Sequence, residues 1–154
     1  MIDLKRILVP TDLSACSIPA TVQARQLAAK FGAEVHVLFV LNDSSSMIAE
    51  PMAVAGLPDI ATLRESMKES LDTWVDQHFG ESSGAVCVFR TGKDSTEIIE
   101  YADEAKIDLI VIGTHGSSGL EHALLGSVAE RVVRRSPCPV LTVRPHARAG
   151  GQSE

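Results

Sequence analysis

The sequence predicts an α/β fold: one domain built on an open five-stranded parallel sheet flanked by helices. Three observations point there. Short β-branched runs alternate with longer segments whose apolar residues recur at helical spacing, the pattern of successive βαβ units. A chain of 154 residues with 45% hydrophobic content fills one ordinary core and is too short for two. Glycine-bearing loops follow directly on apolar runs, where the strands of such a sheet end and ligands bind. The domain is expected to cover residues 1–145, with 146–154 a flexible C-terminal tail.

Taken in order, the first strand is Arg6–Val9, an apolar run ending at Pro10. A helix follows with Ala20, Ala24, Leu27, Ala28 and Phe31 on one face, Ser17 as its expected cap, Pro19 in its opening turn and Gly32 closing it. Glu34–Val40 reads as the second strand. Residues 41–59 break every period with Asn, Ser, Pro and Gly yet stay apolar from Met47 to Leu57, which suggests a lid or a partner surface. Ile60, Leu63, Met67, Leu71 and Trp74 fall in line on a helix reaching His78, and that stripe is core. Ala85–Phe89 is the third strand, with Cys87 in it as a small hydrophobe. Asp94-Ser-Thr-Glu97 reads as a capping box opening a helix that buries Ile98, Tyr101, Ala102 and Ala105. Leu109–Ile112, a helix from Ser127 to Arg135, and Val140–Val143 complete the order, with the last strand expected at a sheet edge.

Two loops carry chemistry. Gly113-Thr-His-Gly116, with Gly126-Ser127 nine residues beyond, joins a strand to a helix start. Glycines there admit left-handed φ and let backbone N–H groups approach an anion, and the helix start adds unsatisfied N–H groups and the positive dipole end. The plainer reading is a tight strand exit with Ser127 as N-cap. Neither G-x-x-x-x-G-K-[ST] nor G-x-G-x-x-G is present, and no lysine lies between Gly113 and Ser127. Phosphate contacts would come from backbone N–H groups, from the hydroxyls of Thr114, Ser117, Ser118 and Ser127, and from His115, for which a solvated loop position is an equal alternative. Pro10-Thr-Asp12-Leu-Ser14 belongs to the same sheet edge, although Asp12 and Ser14 also suit ordinary turn chemistry.

The formal charge of −6 argues against nonspecific binding to nucleic acid or an anionic membrane. Arg131, Arg134 and Arg135 lie in a helix's last turn, where cations suit the dipole. Three scattered cysteines without C-x-x-C fit a reducing compartment, and apolar runs too short to span a bilayer, with no leader pattern at the start, point to the cytoplasm. The histidines show no metal-ligand spacing, so a divalent ion, Mg²⁺ or Mn²⁺, would arrive on a phosphate ligand.

With Val9-Pro-x-Asp12-x-Ser14 at its start and Gly113-x2-Gly116-x9-Gly126-Ser127 near its end, the chain resembles the ATP-binding members of the universal stress protein family, from Lys5 to Arg144. The resemblance implies a Rossmann-like sheet of the adenine nucleotide alpha hydrolase type. It assigns Gly113, Gly116, Gly126 and Ser127 to phosphates and ribose, Pro10, Thr11 and Asp12 to the nucleoside side, and Val40 to adenine. Ile112, His115 and Val128, beside these positions, complete the candidate set. No catalytic residue is assigned. Family members commonly dimerise through the last strand, so a homodimer is expected. The implied role is a nucleotide-dependent stress-response or signalling switch with little hydrolysis; a slow ATPase of the same fold and a nucleotide-free interaction scaffold remain as alternatives.

Overall fold

The computed structural model describes residues 2–42, 59–116 and 125–145. Five parallel strands, β1 (Arg6–Pro10), β2 (Glu34–Asn42), β3 (Val86–Gly92), β4 (Leu109–Gly113) and β5 (Val140–Val143), form one sheet in the order β3-β2-β1-β4-β5. Between them run α1 (Ile18–Phe31), α2 (Ile60–Phe79), α3 (Asp94–Glu104) and α4 (Ser127–Arg135). The fold class and strand order along the chain are as expected; β2 and β3 simply run further, to Asn42 and Gly92.

The sheet is covered on both faces. Ile7, Val9, Val35, Val37 and Phe39 pack with Ala20 and Ala24 of α1 and Leu71, Trp74 and Val75 of α2. Leu8, Leu38, Ile110 and Ile112 face Ile98 and Ala102 of α3 and Ala129 and Val132 of α4. Central β1 is buried on both sides, which is why it reads as an unbroken apolar run. Ile7, Leu8 and Val9 have no exposed surface, each burial contributing about 1.5–3 kcal/mol.

One polar cluster interrupts the α3–α4 face. Buried His36 of β2 meets the Tyr101 hydroxyl through Nδ1 (2.7 Å) and Glu34 Oε1 through Nε2 (2.7 Å). The Arg90 guanidinium lies over the Tyr101 ring and pairs with Glu104.

The amino ends of the strands are tied by specific bonds. Asp108 Oδ2 accepts from the N–H groups of both Lys5 and Arg6 at 2.8 Å, and Arg6 Nη1 donates to the Ala105 carbonyl at 2.9 Å. Gly32, at φ 68°, ends α1 in the left-handed conformation, as its position after the helix predicts.

Several local expectations are overturned. Ser17 holds the N-cap position of α1 without capping it, because its hydroxyl is bonded to Ser14 O and Thr11 Oγ1. Phe31 is exposed: at the end of α1 it turns past the sheet, with Lys30 Nζ beside its ring. The capping box does not form, since Lys93 takes the N-cap position and Asp94 is the first helical residue. Cys87 is exposed on edge strand β3, and partial burial together with a hydrogen bond to Asp72 pushes its thiol up to about 11. Asp59, unremarked in the sequence, caps α2 by accepting from Thr62 N at 2.8 Å. Among the described residues no helix is long and apolar enough to cross a membrane.

Candidate functional site

Strand order reverses beside β1. The chain moves outward to β2 and β3, then crosses back to β4 on the other side of β1. The loops after β1 and β4 therefore diverge, leaving a crevice at the carboxyl edge of the sheet. A cavity of about 430 Å³ occupies it, within the range of small-molecule sites.

All eleven candidate residues line this one cavity. Pro10, Thr11 and Asp12 enter from the end of β1, Val40 from β2, and Ile112, Gly113, His115 and Gly116 from β4 and its loop. Gly126, Ser127 and Val128 enter from the start of α4. Ser117, Ser118 and the Met47–Leu57 segment lie outside the described residues.

The β1 loop is shaped by its own side chains. Leu13 N donates to Thr11 Oγ1 (3.0 Å) and Ser14 N to Asp12 Oδ1 (2.9 Å), two local turns that together hold Leu13 at φ 63°. Left-handed backbone at a leucine costs on the order of 1 kcal/mol, offset by these bonds and by Leu13's packing on the core. Thr11 N donates to Leu38 O (2.9 Å), so the loop leaves the sheet at a fixed point.

Across the cavity, Thr114 N donates to Val143 O (3.0 Å) and Gly126 N to Thr114 O (2.5 Å), which brings the start of α4 against the end of β4. The site glycines are not needed for left-handed φ: Gly126 has φ −67°, and the positive-φ glycines among the described residues are 32, 80, 84 and 92. They are needed for space. A Cβ would stand 3.1 Å from Thr114 O at Gly126, 3.2 Å from Asp12 Oδ2 at Gly116 and 3.2 Å from Cys16 O at Gly113. Gly126, not Ser127, is the N-cap residue of α4, and among the described residues no side chain is bonded to that helix start. Its first N–H groups and dipole end belong to residues lining the cavity, a setting that favours an anion. His115 Nδ1 lies 2.9 Å from Thr114 Oγ1, which orients the imidazole in the same loop.

The opposite side of the cavity differs in chemistry. Asn42, Asp94 and Ile98 line it, together with Leu38 and Val40, and of these five only Val40 is a site residue expected from the sequence. Burial raises the Asp94 carboxyl above its ordinary range and the charge of Asp12 raises it further, while a hydrogen bond from Asn42 opposes both. The sequence pattern Asp94-Ser-Thr-Glu97 predicts a capping role for Asp94 instead. The usable signal was topological: it opens the segment after β3, so it emerges at the same sheet edge as the other loops. Among the described residues no three His, Cys, Asp or Glu side chains gather at metal-ligand spacing.

Comparison with known proteins agrees with this architecture. Residues 3–144 match the universal stress protein family. Universal stress protein MJ0531 of Methanocaldococcus jannaschii is 38% identical over 142 residues, covering 91% of this chain and 82% of the relative. The solved structure of MJ0577 from the same organism is 27% identical and superposes with a TM-score of 0.76, covering 97% of this chain and all of that one. A universal stress protein solved in complex with cAMP is 27% identical, with a TM-score of 0.64 and coverage of 94% and 99%. Fold, strand order and a match over nearly the whole length lead to one conclusion: the chain belongs to the universal stress protein family.

Proposed function

We propose that the cavity binds ATP and that the protein works as a nucleotide-dependent stress-response or signalling switch with little hydrolysis. The observation that carries this reading is the coincidence, in one cavity of about 430 Å³, of a helix amino end whose N-cap residue is a glycine and of glycines whose Cβ atoms would crowd the loop walls. The relative solved with cAMP supports an adenine nucleotide as the ligand class.

In this reading the amino end of α4, the Ser127 hydroxyl and the Gly113–Gly116 loop hold the phosphates, while Val40 and Pro10–Asp12 frame the nucleoside. The phosphates would bring Mg²⁺ or Mn²⁺ with them, offsetting repulsion from a chain of net charge −6. Hydrolysis needs an oriented nucleophile and charge neutralisation on the γ-phosphate. Asp12 is engaged by Ser14, and Arg131 is exposed on α4, so this chain's own groups favour holding the ground state over cleaving it.

We further propose a cytoplasmic homodimer paired through β5, an edge strand of four residues on which Leu141 is exposed. Thr142→Lys adds edge charge and is expected to shift the dimer to monomer by light scattering; an unmodified protein that is monomeric at micromolar concentration excludes this interface.

The decisive test is thermal. Mg-ATP at about 100 times its dissociation constant should stabilise the fold by roughly 2.7 kcal/mol, raising Tm by about 5–10 °C for a domain of this size. No shift, together with no adenine nucleotide released on denaturation, refutes nucleotide binding. Steady-state phosphate release above about one per second would replace the switch with an ATPase.

A further inference from the structure

We propose that Asp94, oriented by Asn42, is a specificity-determining residue: it makes one end of the cavity acidic, so that the site takes nucleotides whose nucleoside carries only neutral hydrogen-bond donors and rejects those bearing a second phosphate on the ribose. This rests on the nucleotide reading above and goes beyond it by defining which nucleotides fit.

The strand order divides the cavity in two. Gly113, Gly116 and the start of α4 lie on the β4 side of β1, where backbone N–H groups face a ligand. Val40, Asn42 and Asp94 lie on the β2–β3 side, with Asp12 on the β1 loop between. A ligand anionic at one end and neutral at the other is matched in only one orientation, phosphates toward α4.

The placement of Asp94 is fixed by a short connection. β3 ends at Gly92 and α3 begins two residues later. Gly92 has φ 149°, a conformation that residues with a Cβ rarely adopt, so glycine suits this tight exit from β3. Glu97 of α3 lies 3.7 Å from the Arg90 guanidinium of β3. Asn42, the last residue of β2, donates its amide hydrogen to the Asp94 carboxylate. That leaves carboxylate lone pairs for hydroxyl or amino hydrogens of a ligand. Asp12 is close enough for its charge to act on Asp94. A second phosphate, esterified to the 2′ or 3′ hydroxyl of the ribose, would therefore meet two carboxylates in a half-enclosed site, where repulsion is screened less than in bulk water.

The test measures dissociation constants by calorimetric competition against ATP, with AMP, adenosine 2′,5′-bisphosphate and adenosine 3′,5′-bisphosphate as probes. The native protein is expected to prefer AMP to both bisphosphates. Asp94→Asn, close to isosteric, should shrink that preference by on the order of tenfold while changing AMP affinity much less. Asp94→Ser, which removes the charge with a smaller side chain, should act in the same direction and guards against a packing artefact in the first variant. Melting curves check that both variants fold. A bisphosphate-to-AMP ratio that is near one in the native protein, or unchanged in both variants, overturns the assignment and leaves nucleotide binding standing. Failure of the native protein to bind ATP or AMP removes both together.

Discussion

At the amino ends of the central strands the backbone is closed by fixed side-chain bonds, whereas at their carboxyl ends the same strands open into a cavity bounded by glycine. Asp108 fastens Lys5 and Arg6 to the start of β4, and Arg6 fastens the end of the preceding helical segment at Ala105. At the other end Gly113, Gly116 and Gly126 keep side chains out of the way. One end spends its polar groups on the fold; the other leaves the start of a helix and the Asp94 carboxylate lining a cavity. The lesson is that position along a parallel strand, more than residue type, separates a stability residue from a binding residue.

That contrast can be broken most severely at Gly126. Gly126→Val places branched carbons against Thr114 O, a backbone atom with little freedom to retreat, and pushes the start of α4 out of position. Loss of measurable ATP binding is expected, with far-UV circular dichroism close to native; retained affinity would show that the helix start is not the anion site. Asp108→Ala should do the reverse. It removes two charge-assisted bonds that water partly replaces, costing about 1–2 kcal/mol and lowering Tm by roughly 3–8 °C, with ATP affinity unchanged. A parallel fall in affinity would mean the two ends are coupled. Ser127→Ala is the mildest case. It deletes one hydroxyl while the helix N–H groups remain, so an affinity loss below about tenfold is expected by titration. A complete loss would transfer the burden of binding from backbone to side chain.

The element order was legible because each strand and helix carries its own period, and the carboxyl-edge loops were legible because glycine and serine punctuate strand exits. What the sequence could not separate were competing uses of one polar residue. Asp94 satisfies a capping pattern and a cavity position equally well, and only the packing of α3 beside β2 decides between them. Ser17 likewise fits a cap, but a neighbouring Thr11 hydroxyl outcompetes the helix N–H groups for it. Left-handed φ is not what glycine supplies at Gly126: its φ of −67° is open to any residue, and the constraint is the carbonyl 3.1 Å from where a Cβ would stand. Close approach between segments distant in sequence leaves no local trace.

The buried contact of His36 with Glu34 and Tyr101 bears on how accurately the sheet assembles. From Val37 to Leu41 β2 is apolar on both faces, so hydrophobicity alone distinguishes weakly between neighbouring alignments against β1. Displacing β2 by one residue turns the imidazole toward α1 and α2, away from Tyr101; Glu34 moves with it on the same strand, but Nδ1 loses its hydroxyl partner at a cost of about 1–3 kcal/mol. A shift by two restores the face but carries the ring roughly 7 Å along the strand, beyond the reach of a hydrogen bond. The histidine thus penalises misaligned intermediates that hydrophobicity alone would tolerate, and so serves the fidelity of folding more than the strength of the folded state.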